Sequence, residues 1–155
     1  MTADLRIRTG TENDRAFARA LGRACVRDSV SSLRVAPDLL VEAAFERLLD
    51  LAFGQPHVLF VAERGGAPVG FLLMLVELPD EVTAVPQAFV AFMAVKPAER
   101  GRGVGARLLA EAEGEAKRRG LPYMALMVTE ENAPARRLYE RCGFRTERRL
   151  LCKAL

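Results

Sequence analysis

Tryptophan is absent from this 155-residue chain, histidine occurs once and cysteine three times, and each shortage closes off a kind of chemistry. With His57 as the only histidine, a Ser/His/Asp or Cys/His triad would have to run through that one residue, and a metal centre has little imidazole to draw on. His57 also stands directly before the apolar run VLFV, which reads as the start of a half-buried strand. Cys25, Cys142 and Cys152 are odd in number and widely spaced, with no CxxC pair, so neither a disulfide framework nor a zinc site is expected. No run of about 18 apolar residues occurs, and the opening MTADLRIRTGTEND lacks the basic-then-apolar pattern of a signal peptide. The expectation is a cytoplasmic protein with no membrane partner. A net charge of +3, with 20 acids interspersed among 23 bases, does not suggest nucleic acid. The arginines also lack the aromatic interleaving that would let them track a strand of bases.

What is present is the composition of a folded protein. Half the residues are hydrophobic and 28% are charged, and the length suits one domain over residues 1–155. LRIR (5–8) alternates like a short strand, and TGTEND then supplies turn and cap residues. Phe17, Ala20, Leu21 and Ala24 follow at the spacing of one buried helix face. A second helix is expected from near Pro37, with Leu40, Ala44, Leu48 and Leu51 as its buried stripe and Gly54 as its stop. HVLFVAE, RGGAPVG and GFLLMLVEL read as strand, turn and strand, an antiparallel hairpin. QAFVAFMAV (87–95) is nearly all apolar, as a strand covered on both faces should be. A helix from about Gly103 to Arg119 carries Val104, Leu108, Ala112 and Ala116 on one face, and LPYMALMV (from Leu121) is a further strand. Strand, helix, strand at that length is a βαβ unit, which makes the two strands parallel.

Between the first strand of that unit and its helix lies VKPAERGRGVGAR (95–107). Three alternate glycines lower the stability of a helix start. At such a start the backbone N–H groups are free and the helix end carries partial positive charge, so glycines there let an anion approach closely. Arg100 and Arg102 would add charge that suits phosphates. A solvated basic turn with a glycine cap is the alternative that this string alone leaves open. It is neither a P-loop, having no GK[ST], nor a GxGxxG fingerprint.

Arg100, Gly103 and Gly105 match the pattern Q/RxxGxG/A, and NAPARRLYERCGF (132–144) lies about 30 residues downstream. With this pair of motifs the chain resembles the GCN5-related N-acetyltransferases, in which an asparagine opens a helix, a tyrosine sits on it and Gly-Phe begins the last strand. The resemblance implies a single-domain α/β (α+β) fold: a mixed, mostly antiparallel sheet with a central splayed parallel strand pair, flanked by helices. It implies acetyl-CoA as co-substrate, no metal, and acetyl transfer to a primary amine by direct attack in a ternary complex. On that reading the pyrophosphate sits on the N–H groups of Arg100, Gly101, Arg102, Gly103, Val104, Gly105 and Ala106, and the pantetheine arm pairs with the backbone of Met93 and Val95. Asn132, an N-cap in its own right, would also bond the cofactor arm, and Tyr139 would protonate the leaving thiolate. As a core tyrosine with its hydroxyl at the surface it would need no such role.

QAFVAFMAV lacks the glutamate that many relatives carry on this strand. Glu77 is the first candidate base, then Glu130 and Glu131, with a water relay as the alternative. Cys142 and the run KRRG (117–120) read as a packed small residue and a solvated helix end. The acceptor is expected to be a small-molecule amine or a peptide N-terminus, held by the N-terminal helices and the segment VELPDEVTAVPQ, whose Glu77, Asp80 and Glu81 hint at a cationic amine. A homodimer is compatible with all of this. The alternative from another class is a CoA-binding sensor that does not turn over.

Overall fold

The computed structural model describes residues 4–155. In chain order the elements are β1 (Leu5–Thr9), α1 (Arg15–Cys25), α2 (Asp38–Phe53), β2 (His57–Arg64), β3 (Ala67–Leu75), β4 (Ala88–Val95), α3 (Val104–Arg118), β5 (Met124–Leu126) and α4 (Ala133–Arg141). The five strands form one sheet in sequence order. The β1–β2, β2–β3 and β3–β4 pairs are antiparallel, and β4–β5 is parallel.

The sheet has a core on each face. Alternation along β2 and β3 sends Phe60, Ala62, Val69, Leu72 and Met74 toward α3, whose Val104, Leu108, Ala112 and Ala116 meet them. The intervening residues Leu59, Val61, Phe71, Leu73 and Leu75 face α1 and α2, against Leu21, Phe45 and Leu49. Covering both faces is why these strands are almost uninterrupted apolar runs.

Four expectations are corrected. On α1 the buried residues are Ala18, Leu21 and Gly22 while Ala20 and Ala24 are exposed. A Cβ on Gly22 would stand 2.4 Å from the Phe45 ring, so the close approach of α2 fixes which side of α1 turns inward. On α2 the buried residues are Phe45, Leu49 and Ala52, whereas Leu40, Leu48 and Leu51 are 60%, 50% and 59% exposed. No strand follows Gly143 among the described residues. The Phe144 N–H donates to the Tyr139 carbonyl and the Gly143 N–H to that of Glu140, which is the paired bonding of a Schellman helix stop. Arg148 then pairs with Asp80 and Glu81, holding the final segment against the β3–β4 connection. The parallel pair therefore lies at one edge of the sheet rather than centrally, and β5 is shorter than the apolar run that contains it.

Candidate active site

The site is created where β4 leaves β5. Their pairing covers only Ala88–Val90 with Met124–Leu126, and β4 continues to Val95 paired with β3 alone. At that point the β3–β4 register shifts: Met74 faces Val90 and Leu73 faces Phe92, leaving Ala91 as an extra residue. A bulge of this kind bends a strand and re-aims its side chains. Consistent with this, Ala91 and Phe92 both pack toward α1 and α2, while Val90 and Met93 pack toward α3. The splay and the bulge open a wedge beside Phe92 and Met93.

From Val95 the chain passes through a short 3-10 turn, Pro97–Glu99, into α3. Gly101 and Gly103 have φ of 71° and 79°, and a Cβ on either would meet nothing within 4 Å. The N–H groups of Gly101, Arg102 and Gly103 donate to no other described residue, and those of Val104, Gly105 and Ala106 are first-turn donors without intrahelical partners. Six successive N–H groups after the end of β4 thus have no acceptor among the described residues. The Arg100 N–H does not join them, because it donates to the Pro97 carbonyl at 3.2 Å. Gly105 serves differently: a Cβ there would lie 2.9 Å from Leu138 of α4 and 3.9 Å from the Met93 methyl. Its absence of a side chain lets α4 dock.

Neither arginine guanidinium is free. Arg100 donates to the Val95 carbonyl at 3.2 Å and to Cys25 Sγ at 3.3 Å, and lies 3.5 Å from Asp28. Arg102 pairs with Glu99 at 3.1 Å, and Glu99 also holds Arg64 at 2.8 Å. These pairs brace the turn and tie it to the α1–α2 connection.

Asn132 caps α4 as expected, its Oδ1 accepting from the Ala135 N–H at 3.3 Å. Tyr139 lies on α4 with its ring against Phe144, the centroids 5.9 Å apart and nearly edge to face. That contact accompanies the helix stop and fixes the tyrosine ring. Its hydroxyl makes no hydrogen bond to a described residue, yet no sealed side-chain N or O among the described residues lacks a partner, so the hydroxyl keeps access to solvent. Burial, and secondarily the neighbouring Cys142 thiol, push the phenol pKa up. The shift favours the protonated phenol.

The candidate bases are dispersed. Glu77 lies beyond the Leu75–Phe89 pair, level with the start of β4, roughly 15 Å along the strand from the splay at ~3.3 Å per residue. Glu130 is exposed and pairs with Arg136 at 3.3 Å. Glu131 accepts from the Ser32 N–H at 3.2 Å and from the Ser32 hydroxyl at 2.8 Å, and these bonds lower its pKa. Together with Thr129, whose hydroxyl donates to the Ser29 carbonyl at 2.6 Å, Glu131 clasps the α1–α2 connection to the β5–α4 turn.

Sequence reasoning missed a cleft of about 300 Å³ between α1, α2 and β4, lined by Cys25, Val26, Ser29, Val41, Ala44, Phe45, Leu48, Phe92 and Met93 among others. The signal was in the sequence, since Ala44 and Leu48 belong to the apolar spacing of α2, but it read as core. A larger, polar depression of about 400 Å³ lies at His57, Thr9, Arg15 and Arg119, by the C-terminal end of α3 and so away from the glycine turn. Among the described residues no group of three His, Cys, Asp or Glu could hold a metal, and no helix is long and apolar enough to cross a membrane.

A turn of unengaged backbone donors at a splayed parallel pair, with a capped tyrosine helix in the same fold, marks the class: a mixed α/β protein with an anion-binding type of helix start. Residues 28–144 match the model of the acetyltransferase (GNAT) family, and the chain belongs to that family. It is similar to mycothiol acetyltransferase from Thermobispora bispora, 39% identical over 89 residues, which are 57% of this chain and 30% of that protein. The match thus spans less than a third of that relative's length. Among solved structures it resembles one described as an acetyl transferase from Pyrococcus furiosus, with TM-score 0.84 and 27% identity over 98% of this chain and 100% of the other. An aminoglycoside N-acetyltransferase solved with CoA shares the fold, with TM-score 0.70 and 21% identity over 99% of this chain and 95% of that one.

Proposed function

We propose that residues 1–155 act as one acetyl-CoA-dependent N-acetyltransferase domain, moving an acetyl group to a primary amine by direct attack in a ternary complex. The observation that carries this reading is the set of unengaged N–H groups from Gly101 to Ala106 after a strand that has parted from β5. Bound acetyl-CoA supplies an acetyl group activated as a thioester.

The chain's own residues do the rest. Backbone donors of Gly101, Arg102, Gly103, Val104, Gly105 and Ala106 hold the pyrophosphate, helped by the positive end of α3. The β4 edge that β5 leaves uncovered around Met93 and Val95 lines the extended arm, and the Asn132 amide N–H₂, which no described residue accepts from, serves as a donor to it. Tyr139 Oη holds a proton for the departing sulfur; its raised pKa keeps that proton in place. No acidic residue lines the cleft, so the amine's proton passes to water there and Glu77 is left without a direct part. Rate should therefore rise with pH until the acceptor amine is neutral.

The test is thiol release from acetyl-CoA with a panel of amines and peptides, alongside calorimetric CoA binding. Tyr139→Phe should lower kcat about 100-fold and leave CoA affinity within twofold. Equal losses in both, or none in either, would make Tyr139 a packing residue. The acid-free cleft also supports a second reading, a CoA-binding sensor, which the same assay separates by showing tight CoA binding with no thiol release above hydrolysis.

A further inference from the structure

Beside its buried row Phe45, Leu49 and Ala52, α2 carries a second apolar row that stays largely uncovered among the described residues, and the cleft explains it. Val41, Ala44 and Leu48 line the cleft beside Phe92 and Met93, and Leu40 and Leu51 extend the same i, i+4, i+8, i+11 row beyond it. Exposure of 50% to 60% at Leu48, Leu51 and Leu40 is costly to maintain unless something apolar comes to rest there. The electrostatics point the same way. No acidic residue lines the cleft, and three carboxylates of the surrounding elements hold arginines: Asp28 with Arg100 at 3.5 Å, Asp38 with Arg27 at 3.3 Å, Glu46 with Arg23 at 2.8 Å. A polycation lying in the cleft would meet no carboxylate on its walls to receive its second and third charges.

We infer that the acceptor is a small primary amine carrying an apolar body, an alkyl or arylalkyl group that rests on the Val41–Ala44–Leu48 row with its nitrogen directed to the splay of β4, and that polyamines and aminosugars are poor acceptors. This deepens the acetyl-transfer reading and rests on it. The cleft volume of about 300 Å³ is at the small end of ligand sites, which suits one ring or a short chain. It departs from the cationic acceptor that Glu77, Asp80 and Glu81 suggest, because Asp80 and Glu81 are held by Arg148 and Glu77 stands at the far end of β4. The reaction balances simply: the neutral amine nitrogen forms the C–N bond, the C–S bond breaks, the sulfur leaves as thiolate and takes a proton from Tyr139, and the nitrogen's surplus proton goes to water, from which Tyr139 regains its own.

Phenethylamine, ethanolamine and spermidine distinguish the possibilities. With acetyl-CoA, phenethylamine should show kcat/KM at least about tenfold above the other two, the scale on which a hydrophobic pocket discriminates single apolar groups. Leu48→Glu should raise KM for phenethylamine at least about tenfold, bring spermidine up relative to it, and leave CoA affinity unchanged, which also shows that the variant is folded. In parallel, saturation-transfer NMR should detect phenethylamine on the CoA-bound protein and lose it in Leu48→Glu. Transfer without a preference for phenethylamine, or an unchanged KM in Leu48→Glu, overturns the inference while leaving acetyl transfer intact. Binding of phenethylamine without transfer to any amine overturns acetyl transfer and keeps the apolar site. Neither binding nor transfer overturns both.

Discussion

Helices α2 and α3 carry apolar rows of the same spacing and meet opposite fates. Val104, Leu108, Ala112 and Ala116 of α3 are all at or below 3% exposure, whereas three of the four residues in the α2 row stay at 50% or more. The difference lies in what each helix covers. Helix α3 spans β1 to β4 and fills one whole face of the sheet, so its row is core. Helix α2 shares the other face with α1, and its buried contacts come from the neighbouring row Phe45, Leu49 and Ala52. The leftover row borders the cleft. Helical periodicity reports an apolar face without saying whether protein or ligand will cover it.

The sharpest way to break this comparison is to truncate the same residue type on each helix. Leu108→Ala should destabilise by about 3 kcal/mol, in the range for a fully buried leucine, read as a shifted urea midpoint. Leu48→Ala should change stability by less than about 0.5 kcal/mol, as exposed positions do, while weakening amine binding. Equal destabilisation would mean that the α2 row is core after all and that the cleft has no apolar wall.

A smaller effect separates the two ends of α3. Gly103 at its start and Gly120 just past its end have φ of 79° and 71°, and both would place a Cβ in open space. Gly103→Ala and Gly120→Ala should each cost about 1 kcal/mol, the strain of a left-handed alanine. Only Gly103→Ala should weaken CoA binding, by about tenfold or more, because only there do re-aimed N–H groups face the ligand. If both variants bound CoA equally well, the turn would be a capped basic loop, the reading that RGRGVG alone leaves open.

The cofactor half was legible in the sequence because its determinants are local. Alternate glycines, an asparagine cap three residues before Ala135, and Tyr139 set against Gly143–Phe144 are each one short string of chain. The acceptor half was not. The bulge at Ala91 depends on register between β3 and β4, and the bracing of Arg100 on Cys25 and Asp28 joins residues some seventy apart in sequence. Gly-Phe was misread as a strand start because a Schellman stop and a strand entry share those residues. What decided between them was the Tyr139–Phe144 ring contact, together with the Arg148 ion pairs.

Acidification sharpens the same contrast with the smallest effect. The α1–α2 half is held by ion pairs as well as by packing: Arg19 with Glu46 and Asp50, Arg23 with Glu46, and Arg8 of β1 with Asp14 at the start of α1. The hydrogen bond from Arg8, aided by the Thr11 N–H, holds Asp14 at about 2 against an ordinary 3.8. A carboxylate with a depressed folded pKa contributes stability that is present above its unfolded value and lost as pH falls through the folded one. The contribution should therefore be complete above about pH 5 and fade between roughly 4 and 2. Asp14→Asn should cost about 1 kcal/mol at pH 7, allowing for solvent screening at this edge, and flatten the stability loss over that interval. Amide exchange near pH 3 should then open α1 ahead of α3. If α3 lost protection first, ion pairing would not be what distinguishes the two halves, and the pair would hold only the turn in which it sits.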